Sequence, residues 1–142
     1  MQKLLQDIKN QEYSQIYLLY GEEAYLRKQY RDRLKKALVP EDDSMNFAYY
    51  EGKDTNPREV IDLAETLPFF AERRVIFLEN TGFFKNASPE LADYVKEMPE
   101  STAMIFVEEE VDKRADLPAQ IILEISQTSI ANSVYMCVQD KS

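Results

Sequence analysis

Short apolar runs alternate along the chain with longer stretches in which apolar residues recur every three or four positions. The runs predict five strands, at residues 15–20, 46–50, 74–79, 103–108 and 133–139. Three of them are almost continuously apolar, which is typical of strands buried on both faces. Strands that alternate with helices predict an α/β domain with a mostly parallel five-stranded sheet and helices on both faces. Residues 15–20 are apolar after the first position, so we predict a central place for that strand.

Helical patterns fill the intervals between the runs. The predicted helices cover residues 1–9, 22–38, 56–66, 88–98 and 117–127. The third has the clearest boundaries, because Asn56 is a good N-cap, Pro57 suits the first turn and Pro68 forces a stop. The fourth begins at a Ser88 cap and places three apolar residues on one face, Leu91, Val95 and Met98.

The composition excludes several kinds of site. The chain has one cysteine and no histidine, which rules out a zinc centre and a cysteine–histidine dyad, so we expect no metal and no cofactor. The lone Cys137 lies in an apolar run, which favours a reducing compartment. No apolar run approaches the roughly 20 residues of a membrane helix. We therefore expect a cytoplasmic protein without a membrane partner.

The charge balance argues against nucleic acid as the main partner. Acidic residues outnumber basic ones by 26 to 17, and the net charge is −9, whereas duplex binding depends on cations that neutralise phosphates. Basic residues do crowd the helix at residues 27–36. That cluster is either a solvated helix face or a track for phosphates, and the first reading is favoured.

The turn after the first strand is where an α/β sheet would hold a nucleotide. A phosphate-binding loop requires the pattern GxxxxGK[ST], and here only Gly21 is present. Glu22 and Glu23 occupy the start of the next helix, where their carboxylates repel an anion. The third strand ends in Glu79 and Asn80 rather than in an aspartate-led pair. We predict that Gly21, Glu22 and Glu23 form a degenerate loop that does not bind nucleotide, and we identify no catalytic residue.

A second candidate site follows the third helix, where Leu67, Pro68, Phe69 and Phe70 come in succession. The proline stiffens the turn, and paired aromatic rings offer a large apolar area with few rotatable bonds, as protein-binding hot spots do. The alternative is that Leu67, Phe69 and Phe70 plug one end of the core. Another aromatic pair, Phe83 and Phe84, is more typical of a cover over the sheet.

Several segments resemble one protein family. They are LYGEEAYLRKQYRDRL near the start, NFAYYEGKD in the middle, and AETLPFFAERRVIFLEN followed later by VEEEVDKR. They are similar to the N-terminal domain of the bacterial DNA polymerase III delta subunit, a component of the clamp loader. The resemblance extends from residue 5 to residue 114 and weakens afterwards, so the helix at residues 117–127 is the least supported element.

The resemblance implies a P-loop NTPase-like fold of the RecA/AAA+ type that lacks ATPase activity. It implies that residues 1–142 are the single N-terminal domain of a longer subunit, whose lid and collar domains lie outside this chain. It also implies that Phe69 and Phe70, shaped by Leu67 and Pro68, enter a hydrophobic pocket on the sliding clamp (the beta subunit). The other expected partners are the remaining clamp-loader subunits in the full-length protein, with no strong direct binding of DNA.

Two alternatives stay open on the sequence. One is a domain that binds nucleotide, or an enzyme that uses it, through an atypical loop. The other is a nucleic-acid-binding domain that uses the basic stretch at residues 27–36.

Overall fold

The computed structural model describes residues 2–13, 15–20, 24–41, 45–83, 89–94, 97–108 and 134–138. The helices in these ranges are α1 (Gln2–Asn10), α2 (Ala24–Leu38), α3 (Pro57–Ala64) and α4 (Pro89–Tyr94). The strands are β1 (Ile16–Tyr20), β2 (Phe47–Glu51), β3 (Arg74–Glu79), β4 (Thr102–Glu108) and β5 (Val134–Val138). All five strand predictions are confirmed to within a residue at either end.

The strands form one sheet in the order β2-β3-β4-β1-β5, and every neighbouring pair is parallel. The prediction of a parallel five-stranded sheet is therefore confirmed. β1 lies inside the sheet, but the middle place belongs to β4, whose seven residues are all buried. A continuous apolar run shows burial on both faces and does not distinguish the middle strand from its neighbour.

Helices cover both faces of the sheet, as the sequence predicted. On one face, alternate strand residues such as Ile76 and Leu78 pack against Val60 of α3 and Leu91 of α4. On the other face, Tyr17 and Phe77 pack against Leu34 and Leu38 of α2. The helix α1 joins this second layer, where the buried Tyr17 hydroxyl donates a hydrogen bond to Asp7 Oδ2 at 2.8 Å.

The helix boundaries follow their predicted signals with two differences. The Asn56 side chain accepts from the Arg58 backbone N–H at 2.9 Å, which confirms the cap, but α3 ends at Ala64 instead of Thr66. The described part of α4 ends at Tyr94, so Met98 lies beyond it; Met98 nevertheless packs into the same core as Leu91. The predicted cap Ser88, the predicted apolar-face residue Val95, the predicted start of the second helix at residues 22–23 and the predicted helix at residues 117–127 lie outside the described residues.

Candidate functional site

The turn between α3 and β3 presents three apolar side chains to solvent. The exposed fractions are 73% for Leu67, 54% for Phe69 and 92% for Phe70. The two phenylalanine rings meet edge to face, with centroids 4.4 Å apart. The alternative that these residues plug the core is therefore wrong. By contrast Phe83 is buried among α3, α4 and the sheet, and Phe84 lies outside the described residues.

A buried arginine holds this turn. Arg74, the first residue of β3, is 8% exposed, and its guanidinium reaches back over the segment that precedes it. Its Nε donates to the carbonyl oxygen of Thr66 and its Nη2 to that of Leu67, both at 3.1 Å. A longer contact of 3.5 Å joins Nη1 to the carbonyl oxygen of Met45. The arginine thus ties the end of the α3 segment to the chain that leads into β2.

An asparagine fixes the same turn from the other side. The Asn46 side chain, which is buried, donates from Nδ2 to the carbonyl oxygen of Phe69 at 2.7 Å. Its Oδ1 accepts from the Phe69 backbone N–H. Both main-chain polar groups of Phe69 are therefore bonded to one side chain that lies 23 residues earlier in the sequence. This two-point contact sets the orientation of the peptide groups around Phe69.

An open cleft of about 840 Å³ adjoins the turn. Tyr13, Val39 and Met45 line it together with Phe69 and Phe70, and the Met45 side chain is 64% exposed. The rim carries charges of both signs, because it includes Lys36, Arg73 and Glu72. The exposed apolar surface is therefore larger than the two aromatic rings alone.

The opposite end of the sheet has a different character. Arg31 of α2 donates to Glu79 Oε1 at 2.7 Å, and the Tyr49 hydroxyl donates to the same oxygen at 2.6 Å. Burial and the hydrogen bond to Glu79 raise the pKa of Tyr49 to about 12. Burial lowers the pKa of Arg31, but its bonds to Glu79 and Asp32 outweigh that effect and raise it overall. The carboxylate at the end of β3 is thus engaged within the protein.

A second carboxylate, Glu108 at the end of β4, is also engaged internally. It is 2% exposed and accepts three hydrogen bonds: from the Thr81 N–H at 3.1 Å, from the Thr81 hydroxyl at 2.9 Å and from the Gly82 N–H at 3.1 Å. Burial raises the pKa of Glu108, and the nearby charge of Glu79 adds to the increase, while the three hydrogen bonds act in the opposite direction. The pKa of the carboxyl group lies above its ordinary value.

The structure brings together the four residues that the sequence placed in a binding turn, Leu67, Pro68, Phe69 and Phe70. The predicted degenerate loop, Gly21, Glu22 and Glu23, lies outside the described residues, so its behaviour remains a prediction. Within the described ranges no group of three or more carboxylate or cysteine side chains could hold a metal ion. None of the described helices is long and apolar enough to cross a membrane.

Sequence reasoning missed the two residues that support the turn. Arg74 was placed only as the start of a strand, next to the more exposed Arg73. Period-two alternation could have found it, because Arg74 shares a strand face with the buried Ile76 and Leu78. Nothing in the local pattern indicates the contact between Asn46 and Phe69.

Comparison with known proteins finds relatives of this chain in sequence and in structure. A Bacillus subtilis protein described as DNA polymerase III subunit delta is 30% identical over 77 residues, which is 54% of this chain and 22% of that protein. The solved structure of the Bacillus subtilis DNA clamp loader delta protein matches 96% of this chain and 41% of its own, with a TM-score of 0.77 and 22% identity. A DNA polymerase III gamma subunit-related protein from Thermotoga maritima matches with a TM-score of 0.59 and 12% identity, over 98% of this chain and 46% of its own.

These two matches show that the chain has the same P-loop-like α/β fold as both solved structures. The chain spans less than half the length of each of these three proteins. The model of the family described as "DNA polymerase III, delta subunit" matches residues 17–131. The chain belongs to the DNA polymerase III delta subunit family.

Proposed function

We propose that this chain is a non-catalytic part of a clamp loader. In this proposal the chain binds the DNA polymerase sliding clamp and helps to open it during DNA replication. The binding element is the turn formed by Leu67, Pro68, Phe69 and Phe70. Membership of the delta subunit family supports a role in the loader, and the similar Bacillus subtilis structure is described as a DNA clamp loader delta protein. The other loader subunits are the further partners of the full-length protein.

The observation that carries the proposal is the exposure of Phe70. Its ring is 92% exposed although Arg74 and Asn46 hold the adjacent backbone in place. Exposure of a large apolar side chain has no stabilising effect on the free protein, whereas burial of an aromatic ring in a partner is a frequent source of binding energy. A protein surface with an apolar pocket is the partner that fits such a side chain.

Catalysis of nucleotide hydrolysis is not part of the proposed role. Glu79, at the end of β3, is occupied by Arg31 and Tyr49, so it is not available to a magnesium ion without breaking an internal ion pair. The sequence Gly21-Glu22-Glu23 supports the same conclusion, because it lacks the lysine and the hydroxyl residue of a phosphate loop. We expect calorimetry with ATP and magnesium to detect no saturable binding below about 1 mM, a concentration that corresponds to about −4 kcal/mol.

The proposal is tested by measuring binding of the chain to the sliding clamp of the same organism. Replacing both phenylalanines, Phe69→Ala with Phe70→Ala, should weaken binding at least about 100-fold, because each truncated hot-spot ring costs about 2 kcal/mol or more. The free energy of unfolding should change by less than about 1 kcal/mol, since both rings are mainly exposed.

The matched control is Tyr25→Ala, which removes an aromatic ring that is 73% exposed on α2, away from the turn. It should leave clamp binding unchanged. Wild-type affinity in the double variant, or equal losses in the double variant and the control, would contradict the proposed role of the turn.

A further inference from the structure

We infer that Arg74 and Asn46 are positioning residues that hold the Leu67–Phe70 turn in its binding conformation before any partner is present. The identity of the partner rests on the proposed function, whereas the conformation of the turn is independent of it. The inference follows from the backbone of Phe70, the burial of Arg74 and the two-point contact of Asn46.

The turn adopts a conformation that the chain does not favour. Phe70 has a φ of 55°, in the left-handed region that bulky side chains rarely occupy. Its ring also faces solvent, so no core contact compensates for the strained backbone. Residues in such conformations persist only where the surrounding structure determines them. Something other than the Phe70 side chain must therefore hold this backbone.

Arg74 supplies part of that restraint. A guanidinium has five N–H donors in a rigid planar fork, and burial of its charge is unfavourable unless these donors are bonded. Here they are directed at the carbonyl oxygens of Thr66, Leu67 and Met45. The backbone of Arg74 is itself fixed, because its N–H donates to the carbonyl oxygen of Ser101 at 2.7 Å beside the central strand. The guanidinium therefore fixes the position of the turn relative to the sheet.

Asn46 supplies the rest, at the residue next to Phe70. It bonds both the N–H and the carbonyl of Phe69, so the peptide groups on either side of that residue cannot rotate independently. Arg74 thus fixes the entry of the turn at Thr66 and Leu67, and Asn46 fixes it at Phe69. Between these points lies Pro68, whose ring fixes its own φ.

The end of a surface helix does not need this arrangement for stability alone. Exposed carbonyl groups after a helix are commonly satisfied by water. Rigid presentation matters for binding, because an ordered turn loses less conformational entropy when its side chains enter a pocket. The hydrogen bonds from Arg74 and Asn46 should therefore raise the affinity of Phe69 and Phe70 for a partner, because they fix the backbone that carries the two rings.

The experiment compares Arg74→Met and Asn46→Leu with wild type by amide hydrogen exchange in the free chain. Exchange is followed at the amides of Thr66 and Phe69, which donate to the Leu63 carbonyl oxygen and to Asn46 Oδ1. We expect exchange at these two amides to accelerate at least tenfold in both variants, while the amides of β4 keep their protection. Arg73→Met is the matched control: its arginine is adjacent in sequence but packs over the Tyr13 ring at 5.0 Å, so exchange in the turn should not change. Arg74→Lys should restore part of the protection, because one cationic nitrogen remains to donate to the carbonyl oxygens.

The same variants are then tested for binding to the sliding clamp, where Arg74→Met and Asn46→Leu should lower affinity at least fivefold with both phenylalanines intact. Unchanged exchange in the turn in both variants would overturn the inference, as would faster exchange with full affinity. If Arg74→Met does not fold, Asn46→Leu alone decides. If the wild-type chain fails to bind the clamp, the proposed function fails, whereas the exchange result still decides whether the turn is held in advance.

Discussion

The two ends of the sheet use polar side chains in opposite ways. At the end where the strands begin, Arg74 and Asn46 bond to main-chain groups and leave apolar rings exposed. At the end where the strands finish, Glu79 and Glu108 bond to neighbouring side chains and backbone N–H groups; Glu108 is buried and Glu79 is partly exposed. The two ends are separated by the length of a strand, about 20 Å for six residues.

In α/β sheets ligands ordinarily bind beyond the carboxyl ends of the strands. Here Glu79 and Glu108 at that end are bonded within the protein, and the exposed apolar side chains of Leu67, Phe69 and Phe70 lie at the other end. The proposed function therefore uses the end of the sheet opposite to the ordinary one. We therefore expect substitutions to separate cleanly: those at the carboxyl end should change stability, and those in the turn should change binding.

The largest expected effect compares two phenylalanines. Phe106 of β4 is 1% exposed, and Phe106→Ala should lower the free energy of unfolding by about 3–5 kcal/mol, because it leaves a cavity in the core. Phe70→Ala should lower it by less than about 1 kcal/mol. Chemical denaturation of both variants measures the difference. Similar losses of stability would show that the turn is part of the core and would remove the contrast.

A smaller loss is expected at the carboxyl end. Glu108→Leu leaves the buried N–H of Thr81 and the partly buried N–H of Gly82 without their acceptor, which should cost about 1–3 kcal/mol of stability. Binding to the clamp by the folded variant should match wild type, since Glu108 lies at the far end of the sheet. A variant with normal stability and weakened binding would reverse the assignment of the two ends.

The raised pKa of the Glu108 carboxyl group also predicts that the free energy of unfolding depends on pH. Because its pKa is raised in the folded state, the folded protein binds the proton more tightly than the unfolded chain does. The contribution of this group to stability is therefore full below the ordinary glutamate pKa, about 4.3, and is lost as the pH rises through the raised pKa. Glu108→Gln removes this contribution. The free energy of unfolding of wild type should therefore fall relative to that of the variant as the pH rises. An unchanged difference from pH 4 to pH 8 would contradict the raised pKa.

The smallest expected effect concerns Tyr49, which is 45% exposed. Tyr49→Phe removes one hydrogen bond to Glu79 while Arg31 keeps its own, so the loss of stability should be about 0.5–1 kcal/mol. A thermal melt at neutral pH resolves a change of this size. A loss as large as that of Glu108→Leu would show that Tyr49, and not Arg31, is the main partner of Glu79.

The sequence predicted the elements well because their signals are local. Continuous apolar runs located the strands, and Asn56 with Pro57 located the start of α3. Strand order depends on contacts between distant segments, which is why β1 was expected at the centre where β4 lies. Phe69 and Phe70 were found because two large apolar residues beside a proline are conspicuous. Arg74 was missed because its charge suggested a solvated side chain although alternation places it on a buried strand face, and Asn46 was missed because its contact with Phe69 spans 23 residues.

The pairing of β1 has a consequence for how the chain assembles. Ile16 lies beside Met104 on one side and Val134 on the other, so β1 is made long before either of its neighbours. β2 and β3 are neighbours in the sheet and are separated in the sequence by a single helix, so we expect them to pair early. Closing long loops delays contacts between distant segments, so we expect β1 to join β4 late and β5, whose neighbour in the sheet is β1, to follow it. Until then we expect the apolar run of β1 to stay accessible to chaperones.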